Sequence, residues 1–134
     1  MRVLGLNGRS YPFPPTGYMP TDDDKRKRSS LHIRAREILR KLYPMDRVLE
    51  EVPLPGSNKL TADFYLPDRK ILVECHGRQH YEFVKHFHGT KLKFIKARAN
   101  DSRKVEWCEI NDIKYIELPY NEDDDEWERR IKRS

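Results

Sequence analysis

The amino-acid sequence predicts an α+β fold in which helices flank a mixed β-sheet. Apolar residues alternate with polar ones over residues 60–66, and a turn over residues 67–70 leads into a β-branched, apolar run over residues 71–75, which together predict a β-hairpin. Apolar residues recur at helical spacing from Ser30 to Leu42, and a further helix, strand and helix are predicted after residue 100. Strands grouped in the middle of the chain, with helices before and after them, are typical of α+β domains.

The composition predicts a single soluble domain in a reducing compartment. The chain has 134 residues, of which 37% are charged and 37% hydrophobic. It contains no apolar run near the ~18 residues that span a membrane, and the apolar start over residues 1–6 is too short for a secretory signal. Cys75 and Cys108 are far apart and form no CxxC pair, so we expect a cytoplasmic protein rather than a disulfide scaffold.

Basic residues predominate and indicate a polyanionic partner. The net charge is +5 despite an acidic run over residues 122–126. Residues 1–28 are interpreted as a basic N-terminal arm or ribbon, which is proline-rich and has an Asn7-Gly8 hairpin turn. This arm ends in four consecutive basic residues, Lys25, Arg26, Lys27 and Arg28. They form either a solvated linker or a clamp on DNA phosphates.

The other elements follow from local patterns. Ser29 or Ser30 can cap the first helix, and Pro44 closes it. Residues 47–53 and 113–118 are predicted strands, and residues 100–111 and the segment from the acidic run to Arg133 are predicted helices. Residues 82–99 are strongly basic, with Gly89 as a break, and their structure is left open. The two tryptophans are expected to be packing residues.

The register of the central hairpin places acidic side chains together. A turn over residues 67–70 sets Leu66 opposite Ile71, and the same count sets Asp63 opposite Glu74. Side chains directly opposite each other share one face of a hairpin. Like charges at this separation need a cation or a proton between them, so the hairpin predicts a divalent-metal site.

The same register adds an imidazole to the predicted metal face. It sets Thr61 opposite His76, so that His76 joins the two carboxylates. Carboxylate oxygens favour Mg²⁺ or Mn²⁺. A zinc site that includes Cys75 is disfavoured, because alternation along the strand points this thiol away from His76.

These residues resemble a known nuclease superfamily. Asp63 followed by the run E-C-H is similar to the D…(D/E)-x-K pattern of the PD-(D/E)xK superfamily, with His76 at the position of the usual lysine. The runs E-C-H-G-R-Q-H-Y, D-S-R-K-V-E-W-C and I-K-Y-I-E-L-P-Y resemble the branch of very-short-patch mismatch repair endonucleases and phage EDxHD homing endonucleases. The resemblance covers about residues 29–120. It implies a restriction-endonuclease-like fold, with residues 29–134 as the nuclease domain and an extended N-terminal arm.

The resemblance also implies roles for individual residues. Asp63 would be the principal ligand of Mg²⁺ or Mn²⁺, and Glu74 a second ligand or the group that positions metal-bound water. Gln79 and His80 match the Q-H pair of this branch, and His80 would be a general acid or base, a role that suits imidazole near neutral pH. Asp101 would be the last acidic member of the site.

Two positions depart from the pattern or stay open. His76 replaces the usual lysine, which leaves the identity of the base undecided. The helix position often held by Glu in this branch is filled by either His32 or Glu37. The residues expected to contact DNA are Lys25, Arg26, Lys27, Arg28, Arg78 and Lys104.

The implied function is metal-dependent hydrolysis of phosphodiester bonds in double-stranded DNA, in the form of a phage-type homing endonuclease. One alternative is a mismatch- or structure-directed repair nuclease on the same scaffold. Another is a non-catalytic DNA-binding module on a degenerate nuclease core, which His76 in the lysine position suggests. A double-strand break by so small a domain would favour a homodimer or sequential nicks. If phage-encoded, the protein would act in the host cytoplasm.

Overall fold

The computed structural model describes residues 1–14, 17 and 28–133, with the side chains of residues 86 and 87 excepted. Within these ranges, no helix combines the length and apolar character needed to cross a bilayer. The elements, in chain order, are β1 (Arg2–Leu4), β2 (Ser10–Pro12), α1 (Ser30–Leu42), β3 (Leu49–Pro53), β4 (Thr61–Leu66), β5 (Ile71–His76), a 3₁₀ turn (Arg78–His80), α2 (Lys85–His88), α3 (Lys91–Ile110), β6 (Lys114–Pro119) and α4 (Asp124–Lys132).

A four-stranded sheet with the order β3-β4-β5-β6 forms the centre of the molecule. β3 and β4 are antiparallel, as are β4 and β5, whereas β5 and β6 are parallel. Parallel neighbours need a crossover, and α3 supplies it between β5 and β6. The predicted α+β class and mixed sheet are therefore confirmed.

Helices cover both faces of this sheet. α1 and α4 pack on one face, where Leu39 and Trp127 meet Phe64 and Val73 in a buried apolar cluster. α3 packs on the opposite face through Trp107, in a second cluster that also contains Tyr65 and Leu72. Both tryptophans are fully buried, as expected of packing residues.

The N-terminal ribbon packs against the sheet. β1 and β2 pair antiparallel, which confirms the predicted turn at Asn7-Gly8. Phe13 is 2% exposed, and its ring centroid lies 5.4 Å from that of Tyr65 and 5.7 Å from that of Trp107. The amide of Leu4 donates to Asn111 Oδ1 at 2.7 Å. The ribbon thus belongs to the same core, and a domain boundary at residue 28 stays a prediction.

Predicted boundaries are accurate for α1 and wrong for α3. α1 spans Ser30–Leu42 as predicted, and the Ser29 side chain accepts from the amide of His32. α3 begins at Lys91 instead of residue 100, because the Thr90 side chain caps a helix there. In residues 91–99 only Phe94 and Ala97 are half-buried. Leu92 and Ile95 are exposed, so the apolar residues of this stretch do not mark a helix face that packs on the core.

Candidate functional site

A pocket of about 330 Å³ opens beside the β4–β5 hairpin, between α1 and α3. The hairpin supplies its carboxylates, the 3₁₀ turn after β5 supplies an amide and an imidazole, and the two helices close its sides. The predicted site residues that line it are His32, Asp63, Glu74, Gln79, His80 and Lys104. The other predicted residues lie elsewhere and are taken up below.

Asp63 and Glu74 are locked to each other across the hairpin. The β4–β5 ladder runs from Leu66 opposite Ile71 to Phe64 opposite Val73, as the turn predicted. Beyond it, the amide of Asp63 donates to Glu74 Oε2 at 2.9 Å, and the amide of Cys75 donates to Asp63 Oδ2 at 2.9 Å. The backbone itself therefore holds the two carboxylates side by side.

The charge of this pair is only partly balanced. Glu74 is 2% exposed, and its burial, together with the charge of Asp63, raises its pKa well above the usual range. Lys104 donates from Nζ to Glu74 Oε1. Burial opposes protonation of Lys104, but the charge and hydrogen bond of Glu74 raise the pKa of this amine above its ordinary value. One ammonium thus faces two carboxylates.

His76 does not join the carboxylates, contrary to prediction. Because the β4–β5 ladder ends at Phe64 and Val73, the predicted pairing of Thr61 with His76 does not form. The imidazole of His76 instead lies 2.8 Å through Nδ1 from Glu117 Oε1, and 3.3 Å through Nε2 from the Tyr115 hydroxyl. The hydrogen bond from His76 outweighs burial and lowers the pKa of Glu117.

The 3₁₀ turn brings a second imidazole to the pocket. His80 Nδ1 lies 2.8 Å from Asp101 Oδ2, so the carboxylate fixes the orientation of the ring. When Asp101 accepts this proton, His80 Nε2 carries a free lone pair that can take up or return a proton. Gln79 lies beside it, and a Cβ at Gly77 would be 2.6 Å from Gln79 Oε1, so a side chain at position 77 would displace this amide from its present position.

α1 contributes His32, through a contact that the sequence did not reveal. His32 Nε2 lies 2.5 Å from Glu50 Oε1, and Arg36 donates to both oxygens of Glu50 at 2.7 and 2.9 Å. Glu50 is fully buried. Burial alone would raise its pKa, but the hydrogen bonds from His32 and then Arg36 lower it. Glu50 therefore stays ionised and holds the imidazole of His32.

Of the two residues of α1 considered for the site, His32 is the one beside the carboxylates. His32 lines the pocket, whereas Glu37 is exposed on α1 and does not line it. Glu50 was not predicted as a site residue, since β3 was recognised only as a strand. Glu50 and Glu51 both stand between the apolar residues Leu49 and Val52, so the sequence offers no cue to which of the two is buried.

The residues predicted to contact DNA are spread over different environments. Lys25, Arg26 and Lys27 lie outside the described residues, and Arg28 forms an ion pair with Glu51 at 3.1 Å. Arg78 is exposed and pairs with Glu82 one helical turn later in sequence. Lys104 lies inside the pocket, bound to Glu74, rather than on an outer surface.

Two groups of side chains could hold a metal ion. His76, His80 and Asp101 offer ligand atoms within 4.8 Å of one another. However, the two rings are stacked with centroids 4.1 Å apart and planes 6° apart, so their nitrogen lone pairs run parallel instead of converging. Asp63 and Glu74 offer oxygen ligands in the pocket, and this donor set fits Mg²⁺ or Mn²⁺.

Comparison with known proteins finds viral relatives that the chain matches over only about a third to two fifths of their own length. The chain is 40% identical over 65 residues to "Uncharacterized protein 307L" of Invertebrate iridescent virus 6, covering 48% of this chain and 33% of that protein. It is 35% identical over 68 residues to "Uncharacterized protein 033L" of Invertebrate iridescent virus 3, covering 51% and 34%. It is 40% identical over 62 residues to "Uncharacterized protein 094L" of Frog virus 3 (isolate Goorha), covering 46% and 40%. No family model and no solved structure matches the chain.

Proposed function

We propose that the chain is a metal-dependent endonuclease that hydrolyses phosphodiester bonds in double-stranded DNA. The observation that carries the proposal is the pocket in which Asp63, Glu74 and Lys104 meet. When both carboxylates are ionised, one ammonium does not balance them in this largely buried place, and a divalent cation would supply the missing positive charge. The resemblance of the hairpin to PD-(D/E)xK nucleases, and with it a restriction-endonuclease-like fold, supports the same reaction.

Asp63 and Glu74 are the residues that would hold Mg²⁺ or Mn²⁺. When bound, such an ion polarises the phosphodiester and lowers the pKa of its water. The hydrogen bonds from the amides of Asp63 and Cys75 fix the orientation of both carboxylates, so the ligands are preorganised. Both carboxylates need to be deprotonated to act as ligands, and the bound ion would favour that state of Glu74.

The remaining pocket residues account for proton transfer and charge stabilisation. His80, oriented by Asp101, would remove a proton from the attacking water or return one to the leaving oxygen. Lys104 would stabilise the negative charge that develops on the phosphate. His32, oriented by Glu50, faces the same pocket and would position the phosphate or the water.

Lys104 also bears on the alternative of a degenerate nuclease core. His76 stands where the superfamily has a lysine, and its imidazole is bonded outside the carboxylate pocket. Lys104 places an ammonium next to Glu74 from the helix α3, and not from the hairpin strand that carries the superfamily's lysine. A cation next to the carboxylates is therefore present in the chain, which favours catalysis over simple DNA binding.

Plasmid cleavage tests the proposed reaction. We expect the purified chain to nick or linearise supercoiled plasmid with Mg²⁺ or Mn²⁺, and to leave it intact in a chelator. Asp63→Asn should abolish cleavage, because the amide keeps the size of the side chain but loses its charge. Asp125→Asn, an exposed change on α4, is the matched control and should cleave normally. Equal cleavage by Asp63→Asn and the unchanged chain would refute the site.

Among DNA endonucleases we propose the homing type, on the basis of the resemblance to EDxHD enzymes. The discriminating experiment compares an intact long DNA with short duplexes that carry single mismatches. Cleavage at one long sequence without a mismatch is the result expected of a homing endonuclease. Cleavage that requires the mismatch would instead identify a repair nuclease.

A further inference from the structure

The first half of α3 carries a cluster of positive charge that the proposed active site does not use. We call residues 91–100 the basic segment of α3. It contains Lys91, Lys93, Lys96 and Arg98 and no acidic residue. The three lysine side chains are exposed. Leu92 and Ile95, each 61% exposed, lie between them on the outer surface.

The position of these charges is unfavourable for the helix itself. The N-terminal end of a helix carries a partial positive charge, which favours acidic residues in the first turn. α3 has none there, and instead begins with Lys91 and Lys93. Lys93 and Lys96 also lie three residues apart, where like charges repel each other. A helix built in this way gains stability when an anion covers its first turns.

The basic segment is nevertheless held in place on the protein. Phe94 faces inward, with its ring centroid 5.0 Å from that of His88 and 6.3 Å from that of Phe83. His88 is 8% exposed, and its Nδ1 accepts a hydrogen bond from the amide of Val84. The lysines are therefore presented by a helix with a fixed direction, and not by a loose loop.

That direction connects the basic segment to the pocket. The same helix places Asp101 and Lys104 in the site, and Lys96 and Lys93 lie eight and eleven residues before Lys104. At 1.5 Å per residue, their Cα atoms lie ~12 and ~16 Å along the helix from that of Lys104. Phosphates on one strand of B-DNA are spaced ~3.4 Å along the axis, so these distances correspond to roughly four to five base pairs.

Lys91 lies two residues further from the pocket than Lys93, so we propose that the lysines of the basic segment of α3 bind the phosphate backbone of duplex DNA about four to six base pairs to one side of the scissile bond. The inference rests on the proposed function, because DNA is identified as the polyanion through the continuity of this helix with the nuclease pocket. Lysines flanking exposed Leu92 and Ile95 also suit an anionic lipid surface. A lipid surface would not need the lysines to be aligned with a catalytic pocket, so DNA is favoured.

Binding measured without metal tests this surface separately from cleavage. The full chain is titrated into a short fluorescein-labelled duplex in chelator at several salt concentrations, and the anisotropy gives the dissociation constant. A variant with Lys91→Gln, Lys93→Gln and Lys96→Gln is compared with one that carries Lys59→Gln, Lys70→Gln and Lys132→Gln. The second set removes the same charge from exposed lysines elsewhere.

The proposal predicts that the α3 variant binds at least about tenfold more weakly and that its log–log salt slope falls by about 3, one per lost phosphate contact. The control variant should keep the slope of the unchanged chain. Equal slopes for both variants would overturn the proposed surface, even if the chain cleaves plasmid normally. If the chain neither binds nor cleaves DNA, the proposed function fails together with the surface. Lysine-dependent binding to phosphatidylserine vesicles, without duplex binding, would assign the segment to lipid and also overturn the proposal.

Discussion

At the scale of single residues, the contact between Lys104 and Glu74 is the feature most directly open to a test. Lys104→Gln keeps much of the side-chain volume and removes the ammonium that faces the carboxylates. Loss of one group that stabilises developing charge costs about 10²–10³-fold in rate, so we expect a drop of this size in the single-turnover cleavage rate. Arg103→Gln is the control, because Arg103 is exposed on the same helix. This variant should cleave DNA at the rate of the unchanged chain.

If Lys104 only contacts a phosphate of the DNA, the Lys104→Gln and Arg103→Gln variants will differ in DNA affinity and not in cleavage rate. Lys104→Gln would then weaken DNA binding and leave the cleavage rate at saturating protein unchanged. That outcome would remove Lys104 from the proposed chemistry and return it to the role predicted from sequence.

Glu50 is predicted to be the most important charged residue for folding near the pocket. It is fully buried and bonded to His32 and Arg36. Removing one member of a buried ionic group costs about 3–5 kcal/mol, so Glu50→Gln should lower the free energy of unfolding by that amount at neutral pH. Urea unfolding followed by circular dichroism measures it. Glu51→Gln, an exposed change in the next residue, should cost no more than about 1 kcal/mol.

The pH dependence of this effect has a definite sign. The pKa of Glu50 is lowered in the folded chain, so the stabilisation is present above the pKa of the unfolded chain, about 4.3 for Glu. It is lost as the pH falls through the lower folded-state pKa. We therefore expect the difference between the unchanged chain and Glu50→Gln to shrink below about pH 4. A difference that stays constant down to acid pH would show that the charge of Glu50 is not its source.

The sequence revealed local relations between site residues better than distant ones. Asp63 and Glu74 could be set opposite each other by counting from a turn, because strand register is a local property. The contact of His32 with Glu50 depends on how α1 lies against β3, and no periodicity encodes that docking. Asp101 was assigned to the site by resemblance and Lys104 was expected to contact DNA, but the pairing of Lys104 with Glu74 depends on how α3 crosses the sheet.

At the scale of elements, α4 packs on the sheet through Trp127 and Ile131, of which Trp127 is the larger. Its ring is fully buried, Nε1 donates to the carbonyl of Pro119 at 2.8 Å, and Arg34 of α1 lies 3.7 Å above the ring. Trp127→Ala should lower the free energy of unfolding by about 3–5 kcal/mol, because it leaves a large cavity between the helices and the sheet. Thermal unfolding of this variant beside exposed Arg129→Ala measures the difference. A loss below 1 kcal/mol would mean that α4 adds little to the core.

Elements were predictable where the apolar pattern and the caps agree. α1 has both an apolar stripe and Ser29 as its cap, and its bounds follow from sequence. The first half of α3 has a capping Thr90 but an outer surface of lysines with exposed Leu92 and Ile95. The apolar pattern predicts a helix best where it marks a face packed on the core, and in this stretch only Phe94 and Ala97 are half-buried.

At the scale of the whole molecule, the sheet brings together charges that are dispersed along the chain. The pocket residues extend from His32 to Lys104, and the basic segment of α3 lies directly before the last of them. A DNA duplex that contacts both the pocket and the basic segment of α3 would be cut at the pocket and bound on one side of the cut only. A single domain of this kind is expected to act on DNA asymmetrically around the cut.

This asymmetry predicts how cleavage depends on duplex length. With the cut position mapped, duplexes are shortened on one side or the other from about eight to about three base pairs beyond the cut. Shortening on the side bound by α3 removes the phosphates that Lys93 and Lys96 would reach, and should slow cleavage by about tenfold or more below saturation. Shortening on the other side by the same amount should have a smaller effect.

The lysine variant supplies the decisive comparison for this length dependence. In the chain with Lys91→Gln, Lys93→Gln and Lys96→Gln, the phosphates on the α3 side no longer have partners, so shortening that side should change the cleavage rate by less than about twofold. The two losses are thus expected to be non-additive, as they are when they remove the same contact. If shortening slows both chains equally, the distal phosphates are bound by another part of the protein, and the basic segment of α3 would have no role in positioning the substrate.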